Sequence, residues 1–259
     1  MVYRATNESL KAIVKGLDVS PVDSILAVGG SGDQAFALLE FAGKVTAVDN
    51  APEQIDFMRQ RVEALKRRDY WGFFKSNDKA ESLVGLRNDK NAFVYDQIER
   101  EKLSEERAKR QYFFPDLSDN IKLDRIRANL KHLVITKPES IFDTAQREQG
   151  HSKIYLSNAL GYHTQTNKDD LRITLEKVAQ NLPINGLIYV TNHDELFNDL
   201  FGIKSMTLEQ AMEFLTSKDP LTAPFLPTSL KLDKDLSSKA RENELGAWHP
   251  AVYRKVQSE

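Results

Sequence analysis

Residues 24–61 read SILAVGGSGDQAFALLEFAGKVTAVDNAPEQIDFMRQR. A short apolar run, Ile25–Val28, meets a turn made of Gly29, Gly30, Ser31 and Gly32. Ala35, Phe36, Leu38, Leu39 and Phe41 follow at helical spacing. A second apolar run, Val45–Val48, ends on Asp49. The order is strand, tight turn, helix, strand, acid, which opens a nucleotide-binding βαβ unit. Glycines take backbone angles that other residues avoid and let a ligand come close to the main chain. An acid at the tip of the second strand can accept hydrogen bonds from both hydroxyls of a ribose. The pattern predicts a site for an adenosine-containing cofactor.

Two cofactor classes fit. Gly30-Ser31-Gly32-Asp33-Gln34-Ala35 matches the G-x-G-x-x-A dinucleotide fingerprint, with an acid a little under ~20 residues on. S-adenosylmethionine (SAM) is bound on the same layout. Asp33 separates them. It opens the helix, where a dinucleotide places its pyrophosphate, and a carboxylate there repels that anion. SAM carries an ammonium and a sulfonium instead, so the sequence favours SAM over NAD.

The chain has 259 residues, enough for a single SAM-binding α/β domain spanning 1–259. Its 41% apolar and 29% charged content is that of a globular protein. The net charge of −2 offers no global basic field, so nucleic acid is not expected as a partner. There is no cysteine, which excludes disulfides, thiolate zinc sites and the iron–sulfur clusters of radical SAM chemistry. His132, His151, His163, His193 and His249 show no metal-ligand spacing. No run approaches the ~20 apolar residues of a membrane span, and residues 1–15 lack the apolar core of a signal peptide. A cytoplasmic protein is expected.

Residues 7–17 predict a lead-in helix capped by Asn7, with Leu10, Ile13, Val14 and Leu17 on one face. Asn50 is a candidate cap for the helix that carries Ile55, Met58, Val62 and Leu65, and a candidate lining residue for adenosine. From Asp69 to Asn120 the alternation stops: Tyr70, Trp71, Phe73 and Phe74 cluster, and a highly charged stretch, 96–110, follows. Residues 69–120 read as a helical insertion or lid. The third strand is expected at 132–136, the fourth at 154–158, the fifth at 187–191 and the last at 251–256. Pro250 is expected only at the start of that strand. The loop after the third strand offers Glu139 and Ser140 to an adenine amine and Ile141 to its ring. Ser157, Asn158, Tyr162 and His163 lie at or beyond the C-terminal end of the fourth strand, where open α/β sheets bind ligands. Tyr162 and His163 are the candidate catalytic bases. Asp169–Asn181 predicts a helix with Leu171, Ile173, Leu175 and Val178 inward. Thr207-x-x-Gln210 reads as a capping box, and 218–247 as loop-rich.

The segment Ile25–Phe41, the strand ending at Asp49 and the run LPINGLIYV at 182–190 together resemble class I SAM-dependent methyltransferases. The likeness covers 20–66 and 131–191. It implies a Rossmann-like α/β fold, a mostly parallel sheet with helices on both faces. Within that superfamily, Asp49 followed by x-x-Pro-x-Gln54, the aromatic Asp69-Tyr70-Trp71 and KIYLSNALGY at 153–162 are most similar to SAM:diacylglycerol 3-amino-3-carboxypropyltransferases, the betaine-lipid enzymes. By that resemblance Gly29, Gly30, Gly32 and Asp33 contact the methionine part and Asp49 the ribose. The expected activity is transfer of a methyl or 3-amino-3-carboxypropyl group from SAM to a small-molecule or lipid-like acceptor. The alternatives are an NAD-dependent oxidoreductase and a non-catalytic SAM-binding or partner-binding protein.

Overall fold

The computed structural model describes residues 6, 8–74, 112–113, 121–160, 168–193, 229–244 and 248–257. Elements are numbered over these residues. Seven strands form one sheet: β1 (Ser24–Val28), β2 (Lys44–Val48), β3 (Leu133–Ile135), β4 (Lys153–Ser157), β5 (Leu187–His193), β6 (Leu230–Leu232) and β7 (Trp248–Lys255). Their spatial order is β3-β2-β1-β4-β5-β7-β6. The first five run parallel, and β7 is antiparallel to both β5 and β6. The Rossmann-like, mostly parallel fold read from the sequence is the one observed.

Alternation along the strands divides the core. Ile25, Ala27, Val45, Ala47, Tyr155 and Tyr189 point into one cluster, and Leu26, Val48, Ile154, Leu156, Ile188 and Val190 into the other. The first cluster is covered by α1 (Leu10–Gly16), α2 (Asp33–Leu39), α3 (Pro52–Lys66), α4 (Tyr70–Phe74), α5 (Ile121–Asn129) and α8 (Lys234–Arg241). The second is covered by α6 (Ile141–Arg147) and α7 (Lys168–Asn181). With both faces covered, β1 and β4 read as continuous apolar runs rather than alternating ones.

The two flanks of residues 75–111 meet on the first cluster. Phe73, at the end of α4, and Phe113 are both fully buried, with ring centroids 5.6 Å apart and edge-to-face. The tyrosine beside Phe113, Tyr112, donates from its hydroxyl to Glu40 at 3.2 Å. The charged stretch 96–110 and the Thr207–Gln210 box lie outside the described residues.

Several local expectations are corrected. The side chain that caps α1 is Ser9, whose hydroxyl accepts from the Ala12 amide, and Asn7 lies outside the described residues. Asn50 does not cap α3: the N-cap is Ala51, and Asp49 Oδ1 takes the Ala51 amide at 2.9 Å. Ile173 is 42% exposed, because Leu175, Val178 and Ala179 already fill the buried face of α7. Pro250 sits within β7, paired with Thr191. Its missing N–H is tolerated because β6 reaches only Tyr253–Lys255, so one edge of β7 has no ladder at Pro250. Part of 218–247 is regular: it holds β6 and α8, the latter capped by Asp233.

Candidate functional site

The turn after β1 is built from main-chain bonds. Gly29 donates to the Val48 carbonyl at 2.6 Å, and Gly32 donates back to the Gly29 carbonyl at 2.7 Å. Gly30 has φ +48° and Gly32 φ +87°, the left-handed region that glycine enters without penalty. A Cβ on Gly32 would also come within 2.9 Å of the Phe36 ring, whereas one on Gly30 would meet nothing nearer than the Gln34 amide at 3.7 Å. Gly32 is closed in by packing, and Gly30 faces open space, the condition for a ligand to lie against its backbone.

Asp49 locks this turn to the end of β2. Its Oδ2 accepts from the Gly30 amide and its Oδ1 from the Ala51 amide, both at 2.9 Å. Partial burial raises its pKa above the usual aspartate value, against the opposing pull of the Ala51, Gly30 and Asn50 amides. Each carboxylate oxygen keeps a second lone pair after these bonds. A half-exposed Asp49 can therefore still accept two hydroxyl hydrogens.

The candidate cofactor residues sort by exposure. Gly30, Asp49, Asn50, Glu139, Ser140 and Asn158 are part or fully exposed, and they ring the C-terminal edge of β1–β4. Gly29, Ser31, Gly32, Asp33, Gln54 and Ile141 are buried. Glu139 joins the rim through its amide, which donates to the Asp49 carbonyl at 3.0 Å. Its carboxylate is taken by Arg147 at 2.8 Å, and that bond holds its pKa below the usual range. Ser140 is the N-cap of α6, its hydroxyl accepting from the Phe142 amide at 3.2 Å. Tyr162 and His163 lie outside the described residues.

Asp33 is placed differently from the expectation. It is 1% exposed, and its Oδ1 pairs with Arg61 at 2.7 Å. Its Oδ2 accepts from the Thr6 amide at 3.0 Å and the Ser31 hydroxyl at 2.9 Å. The carboxylate is consumed inside the protein, so the turn does not present it to a ligand. Paired with Arg61 and closed off from solvent, its charge does not select between SAM and a dinucleotide.

Thr6, Glu8 and Arg61 escaped the sequence reading at this edge. Thr6 lies over the start of α2, receiving the Gln34 amide on its hydroxyl at 2.9 Å. Glu8, 1% exposed, accepts a short hydrogen bond from the Ser157 hydroxyl. Ser157 ends β4 at φ +53°, an angle that costs a non-glycine residue. The segment before α1 thus bridges the glycine turn and the end of β4, on either side of the point where strand order reverses. Nothing in the local sequence marks Thr6 or Glu8. Arg61 had a signal: it stands beside the apolar stripe Ile55–Met58–Val62–Leu65 of α3.

No family model matches the chain, and no curated protein matches it. Solved structures of similar shape include an rRNA methylase from Streptococcus thermophilus, at 9% identity and TM-score 0.42, covering 95% of this chain and 93% of that one. A second, described as a putative rRNA-methylase from Clostridium thermocellum, has 12% identity and TM-score 0.42, with 95% and 93% covered. A third is the N-methyltransferase NodS from Bradyrhizobium japonicum WM9 in complex with S-adenosyl-L-homocysteine, at 10% identity and TM-score 0.42, with 95% and 84% covered. The narrower likeness to betaine-lipid enzymes gains no support from these. The exclusion of nucleic acid does not stand: a net charge of −2 is no ground for it when the chain resembles structures described as rRNA methylases. Among the described residues no helix is long and apolar enough to cross a membrane, and no group of side chains could hold a metal ion.

Proposed function

We propose that this chain is a SAM-dependent transferase whose cofactor lies across the C-terminal edge of β1–β4. One observation carries the reading. Asp49, partly buried at the tip of β2, accepts from the amide of Gly30, the one glycine of the turn on which a Cβ would meet open space. Strand order supports SAM over NAD. Dinucleotide folds commonly run 3-2-1-4-5-6, whereas here an antiparallel β7 stands between β5 and β6.

In this reading Asp49 holds the ribose hydroxyls. Asn50 and the Glu139–Ile141 segment flank the adenosine, and the backbone of Gly29–Gly32 meets the methionine tail. Asn158 stands at the end of β4 on the acceptor side. When bound, SAM supplies a carbon activated by a sulfonium leaving group. What remains for the protein is placement: holding the acceptor atom in line at about 3–3.5 Å. Tyr162 and His163 are proposed as bases for an acceptor that must lose a proton. The acceptor class is read from the product, with RNA among the acceptors tested.

The test pairs binding with product identification. The purified protein is expected to bind SAM, and Asp49→Ala to weaken it by at least about tenfold, the loss of two hydrogen bonds to a charged group. Incubation with SAM and cell extract is then read by mass spectrometry. S-adenosylhomocysteine reports methyl transfer, and 5′-methylthioadenosine above a no-enzyme control reports aminocarboxypropyl transfer. Binding without either product would leave a non-catalytic SAM-binding protein. A nicotinamide-dependent absorbance change without SAM binding would replace this reading with the oxidoreductase.

A further inference from the structure

Arg61 is a charged residue buried where α3 meets the first core cluster, only 3% exposed. Its guanidinium reaches three parts of the chain. Nη1 donates to the Ser31 carbonyl, inside the glycine turn, at 2.7 Å. Nη2 pairs with Asp33, the first residue of α2, at 2.7 Å. Nε donates to the Phe73 carbonyl, in α4, at 2.9 Å. The guanidinium also lies over the Phe73 ring, 4.0 Å from its centroid, with Phe36 at 5.1 Å. A fork of donors with fixed geometry can hold three such groups in register, which the single ammonium of lysine cannot.

Burying an arginine is costly unless every donor is used. Core packing alone would be served by an apolar residue at this position, as at Met58 and Leu65 on the same helix. What the arginine adds is a fixed position for the Ser31 carbonyl, and through it for the turn between Gly30 and Gly32. It also ties that turn to α4, whose Phe73 meets Phe36 at 5.1 Å and Phe113 at 5.6 Å. The turn and both flanks of residues 75–111 therefore share one guanidinium and one ring.

We propose that Arg61 is a positioning residue for the cofactor: through Ser31 and Asp33 it sets the shape of the glycine turn that holds the methionine tail, and through Phe73 it ties that shape to α4. The inference rests on the SAM reading of the site. It assigns Arg61 no contact with the cofactor. Its signature is selective. The turn faces the amino-acid end, while Asp49 and Glu139–Ile141 face the adenosine, so disturbing Arg61 alters binding of the tail and spares the nucleoside.

The experiment compares two ligands that share the methylthioadenosine part and differ in that tail and in the sulfonium charge that goes with it. SAM carries it, and 5′-methylthioadenosine lacks it. Binding of each is measured by calorimetry on the wild type, Arg61→Lys and Phe73→Leu, with circular dichroism and thermal melts for each. Arg61→Lys is expected to weaken SAM by about tenfold and 5′-methylthioadenosine by less than about threefold. Phe73→Leu, further from the turn, is expected to shift the same ratio in the same direction by about threefold. Equal losses for both ligands, or none, in a folded Arg61→Lys would overturn the inference and leave a structural arginine. If Arg61→Lys does not fold, Phe73→Leu decides: an unchanged ratio there overturns it as well. A wild type that binds neither ligand removes the SAM reading and this inference together, a result distinct from the others.

Discussion

Ser157 shows how a single residue departs from its local preference at this edge. It ends β4 in the left-handed region, where a β-carbon costs about 1–2 kcal/mol, and it holds the buried Glu8 through its hydroxyl. Such outliers persist where surrounding structure over-determines them. The two contributions separate by substitution. Ser157→Ala keeps the strain and removes the bond to a buried carboxylate, a loss of about 1–3 kcal/mol. Ser157→Gly removes the same bond and also the strain, so it is expected to be the more stable variant by about 1 kcal/mol. Thermal melts of the two decide it, and an alanine variant equal to or above the glycine variant would show that the angle carries no strain. Neither feature was legible in the sequence, because a left-handed serine has no local signature and Glu8 lies 149 residues from its partner. Asp33 shows the converse. Its place at the start of α2 was legible, but its pairing with Arg61, beyond the rest of α2 and the whole of β2, was not.

Among the elements, α6 tests whether the loop after β3 serves the fold or the ligand. The segment Glu139–Ile141 was read as an adenine loop, yet Ser140 caps a helix that packs Ile141, Phe142 and Ala145 on the second core cluster. If the cap is what the hydroxyl does, Ser140→Ala costs about 1 kcal/mol and Ser140→Asp restores it, since aspartate caps as well as serine. Melting curves read this directly, and an alanine variant as stable as wild type would return Ser140 to a purely ligand-facing role. The elements with strong apolar runs were legible: β1, β2, β4 and β5 stand within a residue or two of expectation. Each is a parallel strand buried on both faces, so composition alone marks it. Helices α6 and α8 were missed because both are short, at 7 and 8 residues. Two turns of helix carry too few positions for a periodic stripe to stand out from a loop. Strand β6, at 3 residues, has the same weakness.

At the scale of the whole molecule, the sheet and its two clusters form the part that residues 75–111 interrupt. Among the described residues, its two flanks meet on the first cluster. Phe73 and Phe113 touch across the break, with Phe36 and Arg61 packed against Phe73. A chain that leaves and returns at touching side chains can be shortened without pulling its ends apart. Replacing 75–111 by about eight glycine and serine residues spans up to ~26 Å, ample for rings in contact. Closing a shorter loop is also easier, by about 0.6 kcal/mol for each halving of its length. The shortened protein is therefore expected to fold, to melt cooperatively within about 5 °C of the full chain, and to bind 5′-methylthioadenosine with unchanged affinity. Transfer to the acceptor is expected to be lost, because we propose that residues 69–120 form the insertion that selects it. If the shortened chain does not fold, the segment belongs to the core and is no insertion. If it folds and still transfers the group, the acceptor is held by the β4–β5 side of the edge instead. Calorimetry, melting and product analysis on this one variant thus separate what builds the cofactor site from what chooses the substrate.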